Sequence, residues 1–177
     1  GRTSVEGLHV AAATNRASYQ RLLVSHLERR LERTTESARR ARLEERLAEA
    51  RREAARLAPL EREYLALVRR THSESNPLDD AEEQRLAELQ ELVEFELGHQ
   101  WTGVLEISRI TIDDIDGPAA THDPTAEEDP DHPHQLVIEN MGGTLSQGRD
   151  GLTVEDLLID QLQLRNIGYR TDTSYLW

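Results

Sequence analysis

Between residues 17 and 58 the chain contains neither proline nor glycine. Alanine, leucine, arginine and glutamate dominate there, and these are the strong helix formers. Apolar residues recur three or four apart: Leu23, Leu27, Leu31, Ala38, Ala41, Leu43, Leu47, Ala50, Ala54 and Leu57. That spacing draws a stripe down one side of a helix, not the alternation of a strand. The stripe shifts between Ala41 and Leu43, as a break in a heptad repeat does. Glu36 with Arg40, Arg40 with Glu44 and Glu53 with Arg56 fall on neighbouring turns, where opposite charges attract. Asn15 or Thr14 is placed to cap the start. These features predict one very long amphipathic helix over 17–72. Pro59 either kinks it or opens a second segment, 59–72, with Leu60, Tyr64, Leu67 and Val68 inward.

Residues 72–77 read as a turn. Asp79 or Asp80 then caps a helix that runs to about Leu97, with Leu86, Leu89, Val93 and Leu97 as its stripe and Gly98 as its stop. A mismatch of lengths follows. At 1.5 Å per residue a straight 17–72 helix spans about 80 Å, the returning one only about 30 Å. A compact domain of this size has a radius of gyration of about 16 Å. The stripe from Leu23 to Leu47 is thus left without a sequence-adjacent partner, and such a stripe is rarely left in water. The expectation is a homo-oligomer held through Leu23, Leu27, Leu31, Leu43 and Leu47.

The second half changes character. Residues 101–116 carry Val104, Leu105, Ile107, Ile110, Ile112 and Ile115, a β-branched alternation that predicts a strand with a bulge or bend at Ser108–Arg109. Residues 117–134 are rich in proline and acid and poor in apolar side chains, so they read as a disordered loop. Residues 135–140 read as a second strand, Gly142–Gly143 as a turn and 144–147 as a short third strand. Thr153 and Asp156 resemble a capping box, and Val154, Leu157, Leu158 and Leu162 share one helical face, so a helix is expected over 154–165. Residues 169–177 read as a last strand. The fold class expected is therefore α+β: a long N-terminal helix and a coiled-coil-like helical hairpin over 1–100, then a small antiparallel β-β-α-β domain over 101–177.

Charge separates along the same line. All 21 basic residues are arginine, and the net charge is −13. Residues 16–70 hold 15 arginines against nine glutamates, whereas 71–177 hold five against 24 acids. Because the helix mixes arginine with glutamate and lacks interleaved aromatics, a salt-bridged face is favoured over a phosphate-binding one. The chain has no cysteine, which excludes disulfides and cysteine-based zinc sites. Aromatics make up 4 %, in keeping with helix seams built from leucine and alanine. No run of apolar residues is long enough to span a membrane as a helix, and a cytoplasmic location is expected.

No motif for catalysis stands out. Glu96 and His99 have the Glu-x-x-His spacing of di-iron bundles, but such a site needs a second pair and two further glutamates. Asp113, Asp114 and Asp116 before Gly117 look like part of a calcium loop, yet the first ligand position falls on Ile112. His122, His132 and His134 lie among acids on a segment with nothing to fix their geometry. No serine has a nucleophile-elbow context, and Gly142–Gly143 is too short to cradle a phosphate. No catalytic, cofactor or metal residue is therefore assigned.

The function expected is that of a non-enzymatic structural, assembly or adaptor protein. It self-associates through the long helix and docks a protein partner through the C-terminal domain. The alternative is a nucleic-acid-associated regulator that uses the arginine-rich helix 16–70. A helical hairpin with an acidic tip (Asp79, Asp80, Glu82, Glu83) before a small β-containing domain also resembles, in outline alone, transcript-cleavage factors of the Gre type. That resemblance implies a hairpin able to enter a polymerase channel.

Overall fold

The computed structural model describes residues 2–96, 101–113 and 135–165, apart from the side chains of 156, 161 and 163–165. Strands β1 (Thr3–Glu6) and β2 (His9–Ala13) come first. Helices α1 (Arg16–Arg33), α2 (Ser37–Thr71) and α3 (Asp80–Val93) follow. Strands β3 (Trp101–Asp113), β4 (Gln135–Gly148) and β5 (Gly151–Arg165) complete the described chain. Mixed helix and antiparallel sheet make it α+β, as expected.

The single helix expected over 17–72 is two helices. The break falls at Thr34–Glu36, not at Pro59. Thr34 has extended backbone angles, and its hydroxyl donates to the Arg30 carbonyl at 2.8 Å. Arg40 reaches back from α2 and donates to the carbonyls of Leu31 (2.7 Å) and Thr34 (2.9 Å). The end of α1 thus has its open carbonyls satisfied by a cation, which the helix dipole also favours there. Helix α2 folds back antiparallel on α1, as the pairs Arg21–Glu61 and Arg51–Glu28 require. It then continues unbroken through Pro59, which is exposed.

At the other end of α2 the reading holds well. Asp79 caps α3 in a reciprocal box with Glu82. Tyr64, Leu67, Leu89 and Val93 form a buried cluster, with Leu60, Val68, Leu78 and Leu86 packed against it. Asn15 caps α1 through Ser18, which returns the bond. The expected helix end at Leu97–Gly98 lies outside the described residues, and α3 stops at Val93.

The strands depart further from expectation. The order in the sheet is β1-β3-β4-β5, with β2 also paired to β3. Both N-terminal strands therefore join a strand that begins after residue 100. β3 is continuous through Ser108–Arg109, and the irregularity sits opposite it, between β1 and β2. Gly7 has φ +64°, and a Cβ there would meet the Ser108 hydroxyl at 2.2 Å. Only glycine fits that left-handed position so close to β3. Gly142–Gly143 is not a turn but part of β4, where the bare Gly143 faces the Glu155 carbonyl of β5. The turn comes later, at Arg149–Asp150, and Gly151 leaves it with φ +119°. The helix expected over 154–165 is strand β5. There the ladder that β4 offers prevails over the three-four spacing. Expectations for 114–134, 97–100 and 169–177 fall outside the described residues.

The chain divides into two units: Gly1–His9, Glu106–Gly142 and Leu158–Trp177 in one, Val10–Leu105 and Gly143–Leu157 in the other. In the first, β1 pairs antiparallel with β3 from Thr3↔Ile112 to Glu6↔Arg109, and Arg109 bonds Glu139 of β4 at 2.7 Å. The second holds the three helices with both apolar clusters. Among the described residues no helix is long and apolar enough to cross a membrane.

Candidate functional site

The five leucines expected to join two chains meet within one. Leu27, Leu43 and Leu47 are buried together with Ala50, and Leu23, Val24 and Leu31 pack around them. The length mismatch that motivated self-association disappears once α1 folds onto α2. Each helix shelters the other's stripe, so this seam has little apolar area left to offer a partner. Ala38 and Ala41, read as part of the stripe, are exposed.

The arginines of the hairpin are woven into its own charges. Arg21 makes a two-point bond to the buried Glu61 (2.9 and 3.4 Å). Arg51 reaches Glu28, Arg56 reaches Glu53 and Arg39 reaches Glu36. Along the outer side of α2, the exposed Arg42, Glu45, Glu49 and Arg52 carry both signs, two of each. No one-signed stripe of the kind that tracks a phosphate backbone forms there. Two of the four acids at the tip, Asp79 and Glu82, are similarly engaged. Asp79 and Glu82 cap α3, and Arg70 grips Glu82 at 2.5 and 2.9 Å. The Arg70 guanidinium, and after it the Asp79 backbone N–H, hold the Glu82 carboxyl below the ordinary carboxylate range.

A polar joint ties the three helices. The Tyr64 hydroxyl donates to Glu94, just past the end of α3, and Gln90 donates to the same carboxylate at 3.1 Å. The Glu94 backbone forms a bridge with Asn15, the cap of α1, and Tyr19 meets Phe95 edge to face. Burial, and then the bond to Glu94, push the Tyr64 phenol up to about 12. Nothing here has the arrangement of a nucleophile and its base; the joint fixes helix positions.

Among the described residues, two open surfaces stand out. A cleft of about 400 Å³ lies between the end of β2 and α1. Ala12, Ala13 and Thr14 line one side, and Ser18, Arg21, Leu22 and Ser25 the other. Ser18, Arg21, Leu22 and Ser25 fall at i, i+3, i+4 and i+7, so one face of α1 makes the wall. The second surface is β5, where Leu152 (58 % exposed), Val154, Leu157, Leu158 and Ile159 all stand in solvent.

No protein-family model, no curated protein and no solved structure matches the chain. The site residues therefore rest on geometry alone. Among the described residues, no group of three or more histidines and acids is placed to hold a metal ion. Glu96 is exposed, while His99, Asp114, Asp116, His122, His132 and His134 lie outside the described residues. Sequence reading overlooked both open surfaces. For β5 a signal was present: Asp150–Gly151 between apolar runs is a strong short-range hairpin mark. For the cleft the signal was fainter, a Leu8-His9-Val10 alternation ahead of the Asn15 cap.

Proposed function

We propose that this protein is a non-enzymatic structural or adaptor protein that associates with a second copy of itself through β5. The observation that carries the reading is the apolar exposure of that strand. Leu152, Val154 and Leu158 occupy one face and Leu157 and Ile159 the other, and all five are exposed. An apolar strand at the end of the described sheet order pairs readily with another chain. An identical strand is the partner always present at matched concentration, and most soluble homo-oligomers close by such two-fold contacts. The helical hairpins then serve as a rigid scaffold, not as the seam itself.

Light scattering across a concentration series tests this. The expected result is a mass of twice the chain or more at micromolar concentration. Leu152→Glu with Val154→Glu places two charges on one face of β5 and is expected to give the single-chain mass with an unchanged far-ultraviolet spectrum. A wild-type protein that stays a single chain removes the proposal.

A further inference from the structure

We infer that the cleft between β2 and α1 receives an extended peptide bearing a carboxylate, which adds as a strand beside β2. This surface is separate from β5, and the inference does not rest on self-association.

Three features of the cleft select that occupant. The first is backbone. Among the described residues β2 pairs with β3 alone, and its last two residues, Ala12 and Ala13, border the cleft, where strand addition would use their backbone groups. The second is room. At about 400 Å³ the cleft falls within the range of ligand pockets, and alanines and serines make most of its walls. Small walls let a second backbone approach to hydrogen-bonding distance, while Leu22 supplies an apolar floor for one side chain of the guest. The third is charge. Arg21 is the one charged residue among those lining the cleft, and its side chain is 54 % exposed. Glu61, buried on α2, takes one Nη1 bond and one Nη2 bond and so orients the guanidinium. A guanidinium has five N–H donors, so donors remain for a carboxylate arriving from the cleft side. A basic peptide meets Arg21 as a like charge, and an uncharged one forgoes the charge-assisted bond.

The probe is a fluorescein-labelled peptide of alternating valine and glutamate, blocked at both ends, read by anisotropy. Counterparts carry glutamine or lysine in place of glutamate. The expected result is saturable binding below about 1 mM, about tenfold weaker for the glutamine peptide and weaker still for the lysine peptide. Arg21→Gln is expected to lose about tenfold for the glutamate peptide and almost nothing for the glutamine peptide, since the two changes remove the same bond. Hydrogen exchange should slow at residues 11–14 in the complex. Because Arg21→Gln strips Glu61 of its partner and can unfold the hairpin, Ser25→Tyr serves as the second variant. It fills the cleft from an exposed position, keeps the Arg21–Glu61 pair, and is expected to abolish binding with an unchanged melting temperature. Any of four outcomes overturns the inference: no binding of the glutamate peptide, equal binding of the lysine peptide, full competition by acetate alone, or binding that Ser25→Tyr leaves intact.

Discussion

Pro59 lies inside α2, with more than three turns of helix on either side counting from Ser37 and to Thr71. Its ring has no N–H, so the Ala55 carbonyl loses its helical donor and is crowded by the ring. Proline costs about 3 kcal/mol relative to alanine in a helix interior. Replacing it also loosens the unfolded chain, which returns roughly 0.4–1 kcal/mol. The side chain is exposed and belongs to neither apolar cluster, so no packing is lost. Pro59→Ala should therefore stabilise the protein by about 2 kcal/mol. For a chain of this length that raises the melting temperature by roughly 4–8 °C, read by circular dichroism at the helix band. The reasoning has one point of exposure. Above Pro59, α2 packs on α1 through Leu43, Leu47 and Ala50; below it, α2 packs on α3 through Leu60, Tyr64 and Leu67. If the proline aims the two halves at their different partners, straightening the helix costs contacts on one side. A fall in melting temperature would show that the aim, not the local backbone cost, decides.

Two further perturbations test the packing and the joint. Leu27→Ala removes a side chain that is 1 % exposed at the centre of the α1–α2 seam, and should cost about 3 kcal/mol in urea unfolding, against less than about 1 kcal/mol for the half-buried Leu22→Ala. Tyr64 has a folded pKa raised to about 12 by burial and by Glu94. Its contribution to stability is complete below the unfolded value of about 10 and fades as pH rises towards 12. Wild type should accordingly lose stability across that window by a proton-linked amount that Tyr64→Phe lacks, seen as a difference between their melting-temperature curves above pH 10.

The sequence was most legible where one local rule acted alone. The Asn15 and Asp79 caps, the inward face of Leu60–Tyr64–Leu67 and the stripe of α3 all follow from side-chain chemistry within a few residues. It was least legible where two rules competed. Leu157, Leu158 and Leu162 fit a helix, yet the pairing offered by β4 depends on residues distant in sequence and made the segment a strand. Gly143 carries the mark of a turn, but its use is to let β5 come close. The cleft was invisible for the same reason: among the described residues β2 pairs with β3 alone, some ninety residues onward. The leucine seam lies between these cases, because its members were identified and its partner was misplaced.

That misplacement turns on three residues. Thr34, Thr35 and Glu36 separate two segments that otherwise read as one helix, and threonine is a weak helix former whose hydroxyl competes for backbone bonds. The folded-back state is held by the Thr34 hydroxyl on Arg30 and by Arg40 on Leu31 and Thr34. A variant with Thr34→Ala, Thr35→Ala and Arg40→Glu removes all three bonds and supplies helix formers at the hinge. Helix α1 should then continue into α2, which exposes both leucine stripes. The cheapest way to bury them again is exchange with a second chain, each α1 packing on the other's α2. Made together with Leu152→Glu and Val154→Glu, which block the proposed β5 contact, the hinge variant should run as a dimer by light scattering while the β5 variant without it runs as a single chain. A monomer of unchanged helix content would mean that the seam itself, through Leu27, Leu43 and Leu47, bends the hinge and that Thr34 and Arg40 only follow.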